Sequence, residues 1–163
     1  ARVTVVNALI AERSGLAIDF FGDAASGSAS IIPGYLAHHQ PLRKASLALD
    51  DFVAGAECIP ELIKIDVEGA EVRVIDGLPD TMRDKRPLLF VELHSWADLT
   101  VSDTADALRQ RLEPLGYKLI YLRTKEVIED SSILAGRGRC HVLACPAESA
   151  FWAELPDLDT TGL

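Results

Sequence analysis

The sequence predicts an α/β domain, a sheet whose strands are joined by right-handed helical crossovers. Three observations predict it. "LIKI" (62–65) is a short apolar run that leads into an amphipathic segment. "LLFVEL" (88–93) is a continuous apolar run, as expected of a strand buried on both faces. Residues 103–122 change from helical to strand periodicity across Gly116. The resulting order is strand, helix, strand, helix, strand.

The elements follow in chain order. Val3 to Val6 is β-branched and reads as a first strand. "ERSG" (12–15) is a turn signal, and "LAIDFF" (16–21) reads as a second strand, hairpinned to "NALIA" (7–11). Gly22 to Gly34 shifts to Gly, Ser and Ala and predicts a mobile surface loop. "KASLALDDFV" (44–53) reads as a strand through Leu49, with Asp50 capping a short helix. After Leu62–Ile65, residues Val67, Ala70, Val74 and Leu78 share one helical face, with Glu71 and Ile75 beside it. Gly77 and Pro79 end that helix. Pro87 precedes the next strand. Asp103 to Leu115 is a helix with Ala105, Leu108 and Leu112 inward, stopped by Gly116. "YKLIYL" (117–122) and "CHVLAC" (140–145) have no helix between them and read as an antiparallel pair at one edge. The acidic tail from Glu154 is expected to fray, so the division is 1–153 and 154–163.

Composition excludes several classes of function. The 163 residues suffice for one domain, and 48% hydrophobic content excludes a disordered chain. A net charge of −9 argues against a general nucleic-acid binder and against docking on anionic lipid. No apolar run approaches the roughly 20 residues that span a bilayer. Cys58, Cys140 and Cys145 form no C-x-x-C pair, so neither a disulfide framework nor a zinc site is expected. Buried free thiols point to a reducing compartment, the cytoplasm.

Chemistry concentrates at two strand ends. Ligands of open α/β sheets sit beyond the carboxyl ends of the strands. The first end carries Asp66 and Glu68, and the second carries Glu92 and His94 on one side of the strand. One intervening helix makes the two strands parallel neighbours, so these groups converge on one rim. Simpler roles also fit each residue alone: Asp66 as a helix cap, Glu68 and Glu71 as partners of the helix dipole, His94 as a surface histidine. Gly69 fits close approach of a ligand or close packing. His38–His39 and "GRGR" (136–139) read as loops, the latter also able to neutralise an anionic substrate. "IDVEG" shares an aspartate and a glycine with D-x-D-G phosphatases, with Glu68 replacing the second aspartate. A non-catalytic association module is the other rival.

"LIKIDVEGAEVRVIDGL" followed by "RPLLFVELH" resembles the FkbM-type S-adenosylmethionine-dependent methyltransferases. "VTVVNALIAERSGLAIDFF", "SLALDDFV" and "LEPLGYKLIYL" extend the resemblance across roughly Val3 to Pro146. It implies a Rossmann-like class I methyltransferase sheet, mostly parallel with an antiparallel edge strand. It implies O-methylation of a hydroxyl on a sugar, polyketide or related metabolite, with S-adenosylmethionine as cofactor. Such proteins hold the cofactor on an early Gly-rich loop and an acid after the second strand. The chain shows neither, so its first residues match the third strand and the N-terminal strands are expected to be missing. Residues 1–163 alone are therefore expected to bind the cofactor weakly. An exposed sheet edge is expected to invite self-association. By position, Asn7 and Ala8 fall near the adenine. Asp66 falls where the fourth strand opens toward the methyl donor, Glu92 and His94 fall on the acceptor side, and Glu68 joins them as a catalytic candidate. His94 is the expected base, oriented by Glu92 or Asp66, in a metal-free mechanism; acids holding a hard cation are the alternative.

Overall fold

The computed structural model describes residues 3–23, 28–32, 40–56, 59–96 and 98–163. The His38–His39 pair and Cys58 lie outside them. The described residues form a mixed α/β fold with two sheets.

The first sheet uses β1 (Leu9–Ile10), β2 (Ala17–Asp23), β3 (Ser28–Ser30) and β4 (Leu42–Leu47), in the order β1-β4-β2-β3. Three expectations change here. Val3 to Val6 forms no strand, and Val3, Val5 and Val6 are exposed. Among the described residues no strand lies beside them, and β-propensity without a partner fixes nothing. The β2 strand is not hairpinned to β1, because β4 lies between them, parallel to β1 and antiparallel to β2. Ser46 of β4 explains the insertion. Its carbonyl accepts from Gly15 N at 2.8 Å, and its hydroxyl donates to Arg13 O at 2.6 Å, so the 12–15 turn closes on β4. Lastly, within the segment expected as a loop, β3 pairs antiparallel with β2, with Phe21 opposite Ser30, while 24–27 and 33–34 lie outside the described residues.

β4 ends at Leu47, and α1 (Leu49–Gly55) starts from Ala48 without a side-chain cap. Asp50 is a capping residue, but of a different helix. Its carboxylate accepts from Asp80 N at 2.9 Å and Thr81 N at 2.7 Å. The helix expected between residue 66 and Gly77 is the short α2 (Glu71–Ile75), and a further helix that was not expected, α3 (Pro79–Lys85), follows it. Pro79 starts the second because its fixed φ suits a first helical position. α4 (Val101–Leu112) is capped by Thr100, whose hydroxyl accepts from Asp103 N at 3.1 Å. A 3₁₀ turn over Glu113–Leu115 ends at Gly116.

The second sheet comprises β5 (Leu62–Ile65), β6 (Leu88–His94), β7 (Tyr117–Tyr121), β8 (Glu126–Val127) and β9 (Arg139–Pro146). Its order is β5-β6-β9-β7-β8. β5 and β6 are parallel neighbours, as expected, with Leu62 opposite Leu88. The other three pairings are antiparallel, so by its pairings the sheet is not mostly parallel. β9 does pair with β7, yet it sits inside the sheet, and β8 forms the edge. Val142, Ala144 and Cys145 of β9 are fully buried, which an edge position would not provide. Because β9 runs reversed between β6 and β7, the strands β5, β6 and β7 still point the same way.

Helices cover one face of this sheet: Val74, Ile75, Leu78, Met82, Ala105, Leu108 and Leu112 pack on Ile65, Leu89, Val91 and Leu93. Phe151, Trp152, Leu155 and Leu158 cover the other face over Ile120 and Leu143. The segment expected to fray thus contributes a buried Leu155. The two sheets join where Gly77 meets the Ala11 carbonyl. A Cβ at Gly77 would lie 2.4 Å from that oxygen. Beside it Arg73 donates to both oxygens of Glu12, at 2.7 and 2.9 Å. No helix among the described residues is long and apolar enough to cross a membrane.

Candidate active site

β5 and β6 deliver their C-terminal residues to one rim. After Ile65 the chain turns through Asp66–Ala70. Glu68 has φ 52° and Gly69 φ 94°, two left-handed residues in succession. Glycine carries that conformation freely, while Glu68 is held there against its preference. The turn is fixed at both residues: Ser30 Oγ donates to Glu68 O at 2.8 Å, and Gly69 N donates to Glu71 Oε1 at 2.9 Å. A Cβ on Gly69 would meet only ordinary contacts, so backbone conformation rather than crowding requires the glycine.

His94, at the end of β6, is the centre of the cluster. Its Nδ1 lies 3.4 Å from Glu71 Oε1. Its Nε2 lies 3.5 Å from Glu92 Oε1 and 3.7 Å from Glu68 Oε2. Three carboxylates therefore surround one imidazole whose side chain is 14% exposed. Its pKa is raised, first by the hydrogen bond to Glu71 and then by the charges of Glu68, Glu71 and Glu92, against burial, which lowers it. Glu71 is wholly buried, and its Oε2 has no hydrogen-bond partner among the described residues.

β9 brings a second layer, since its register sets Arg139 opposite His94 and His141 opposite Glu92. Arg139 approaches Glu92 Oε1 at 3.2 Å, and His141 Nε2 lies 3.3 Å from Glu92 Oε2. The His141 ring stacks on Phe90 with centroids 5.5 Å apart.

Of the residues singled out in the sequence, Glu68, Glu92 and His94 meet directly. Asp66 stands at the outer side. It is not a helix cap, because Ala70 holds the cap position of α2, and it pairs with Lys64 Nζ at 3.0 Å. Ligand atoms of Asp66, Glu68 and His94 nevertheless lie within 4.8 Å of one another, a spacing one cation could bridge. Ala8 lines a 380 Å³ cavity with Phe20, Ile31, Asp66 and Glu68. Asn7 lines a smaller adjoining one with Ala8 and Phe20. Sequence reasoning missed Glu71 and Arg139 as neighbours of this cluster, although Arg139 stood in the "GRGR" stretch (136–139) singled out for an anionic substrate, and it missed His141 altogether. Glu71 had one signal, an acid flanking the buried helical face. Arg139 had the basic "GRGR" stretch as a signal but nothing that placed it beside Glu92, and His141 had none, because register across β6 and β9 is not written in either strand.

A model of the methyltransferase FkbM domain matches residues 8–119. Among solved structures, the chain is similar to the methyltransferase FkbM from Methylobacillus flagellatus KT, with 18% identity and a TM-score of 0.48. That match covers 88% of this chain, which spans 28% of the other chain's length. No curated protein matches the chain.

Proposed function

The chain belongs to the methyltransferase FkbM domain family, and from that premise we propose that it serves S-adenosylmethionine-dependent O-methylation, with a Rossmann-like methyltransferase core. The acceptor in this reading is a small molecule with a free hydroxyl, on a sugar, polyketide or related metabolite. The observation that carries it is His94 held between Glu68, Glu71 and Glu92 at the ends of two parallel strands.

The 380 Å³ cavity fits the cofactor by the chemistry of its lining. Ala8, Ile10, Phe20 and Ile31 offer an apolar wall for a base, and Asp66 and Glu68 offer carboxylates to a cation and to hydroxyls. Asn7 extends this wall from the adjoining cavity. The cofactor supplies an electrophilic methyl group. The protein's own tasks are to align the acceptor and remove its proton. Glu71 fixes the His94 ring by accepting from Nδ1, which leaves Nε2 to take the hydroxyl proton. The carboxylates then stabilise the imidazolium that forms. Glu92, anchored by Arg139 and His141, holds its place beside Nε2.

A second reading has a specific observation behind it: Asp66, Glu68 and His94 can share one divalent cation that polarises the hydroxyl. Transfer of labelled methyl to a panel of hydroxylated acceptors, with and without chelator, tests both. Transfer that survives chelation and fails in His94→Ala supports the base. Transfer lost on chelation and restored by magnesium supports the cation. No transfer to any hydroxyl, with cofactor bound, would overturn the O-methylation reading.

A further inference from the structure

Beyond Glu92, across β9, the protein is basic. Arg123, Arg137, Arg139 and His141 line a cavity of 250 Å³ together with Tyr121, Cys140, Gly162 and Leu163, and among the described residues no Asp or Glu side chain lines it. This is unusual on a chain of net charge −9. Arg139 and His141 are already anchored by Glu92. Arg123 and Arg137 are not: among the described residues neither makes an ion pair. By contrast Arg73, Arg83, Arg86, Arg109 and Arg111 each hold a carboxylate. The Arg137 guanidinium lies over the Tyr121 ring at 4.8 Å, and its Nε is buried without a hydrogen-bond partner among the described residues. A planar fork held in place with unused donors is what recognition of an oxyanion requires.

We propose that this cavity is an anion subsite for a phosphate or carboxylate group carried by the acceptor. The word acceptor rests on the methyltransferase reading; the anion site does not. Register places the subsite close to the reacting hydroxyl. Arg139 is the cross-strand neighbour of His94, and neighbouring strands lie about 4.8 Å apart. Arg123 follows β7, on the far side of β9 and two strand spacings, about 10 Å, from β6, a span that an acceptor of sugar-phosphate size would bridge. The substrate class that follows is a small hydroxylated anion, a sugar phosphate or a sugar acid, rather than a neutral lipid or a neutral polyketide. Glu92 then separates two tasks, with His94 on one side for the proton and the arginines on the other for the charge.

Titration of the protein with inorganic phosphate, acetate and glucose, followed by NMR of the arginine Nε–Hε signals, tests the site without cofactor or turnover. Saturable shifts at Arg137 with phosphate assign a phosphate site; saturable shifts with acetate assign a carboxylate site. Glucose should shift neither. Arg123→Gln, at an exposed position without an ion pair among the described residues, should weaken binding roughly tenfold or more, and adding Arg137→Gln should abolish it. Shifts that stay linear, or binding retained in the double variant, would overturn the subsite. Equal kcat/KM for an anionic acceptor in wild type and double variant would overturn its link to methylation. Saturable binding without any methyl transfer would leave the subsite standing and count against the enzyme reading alone.

Discussion

Glu71 Oε1 lies 3.4 Å from Nδ1 of His94, and the same oxygen accepts from the backbone N–H of Gly69 at 2.9 Å. One buried carboxylate thus ties the left-handed turn after β5 to the ring at the end of β6. It is also the first cause of the raised His94 pKa.

Glu71→Gln keeps an acceptor for Gly69 and removes the charge. The His94 pKa should fall toward the ordinary histidine value, read from its imidazole NMR signals against pH. An unchanged titration would mean that Glu68 and Glu92 alone hold the proton. In methyl transfer this variant should be more damaging than Asp66→Asn, since Asp66 is 38% exposed and already paired with Lys64.

His94→Ala should lower turnover about 10²–10⁴-fold while leaving cofactor affinity nearly unchanged, as expected for loss of a general base. Calorimetry and single-turnover assays separate the two. Because the His94 pKa is raised, wild-type kcat/KM should rise with pH through a limb lying above the usual histidine range. A limb at about 6.5 or below would show that His94 is not the titrating base.

The same shift has a stability consequence with a defined sign. A group whose folded pKa exceeds its unfolded one stabilises the fold fully below the unfolded value, about 6.5 for histidine. That contribution is lost as pH rises through the raised folded value. Urea unfolding of wild type and His94→Asn should therefore differ most near pH 6 and converge in alkali. A gap that widens with pH would contradict the ion cluster.

Asp50→Ala should cost about 0.5–2 kcal/mol, the usual loss on removing a helix cap, although Asp50 lies in α1 and the helix it caps is α3. Gly77→Ala should cost about 1–3 kcal/mol, because its new Cβ meets the Ala11 carbonyl and backbone on both sides must shift. Gly55→Ala, with nothing within 4 Å, is the control and should be neutral or slightly stabilising. Denaturant midpoints of the three variants decide this.

β5 ends the larger sheet, and Leu62 on it is 58% exposed. Self-association through this edge is the proposed route to an oligomer. Sedimentation should show concentration-dependent association that Leu62→Lys suppresses. A wild type that stays monomeric throughout would remove the edge as an interface.

Much of the fold was legible because its signals are local. Leu62–Ile65 has the bounds read from its apolar run, and β6 differs from the reading by one residue. Ala105, Leu108 and Leu112 face inward at the spacing that a helix dictates. Pairing was less legible. The turn at 12–15 suggested a hairpin, but Ser46 of a strand thirty residues later satisfies that turn. Pro79 read as a stop because proline ends a helix, and it is equally suited to begin one.

For the candidate site the sequence alone determined which carboxylates and which histidine lie at two strand ends, and that Glu92 and His94 share a side. Period two and strand length suffice for that. Only the tertiary structure decided what surrounds His94. Glu71 reaches it because two left-handed residues fold the chain back over β6, and Arg139 and His141 reach Glu92 because β9 enters the sheet reversed beside β6. Side-chain spacing along one segment is a property of that segment's backbone. Register between strands fifty residues apart is settled by burying both faces of the sheet at once, and no single stretch of sequence carries that information.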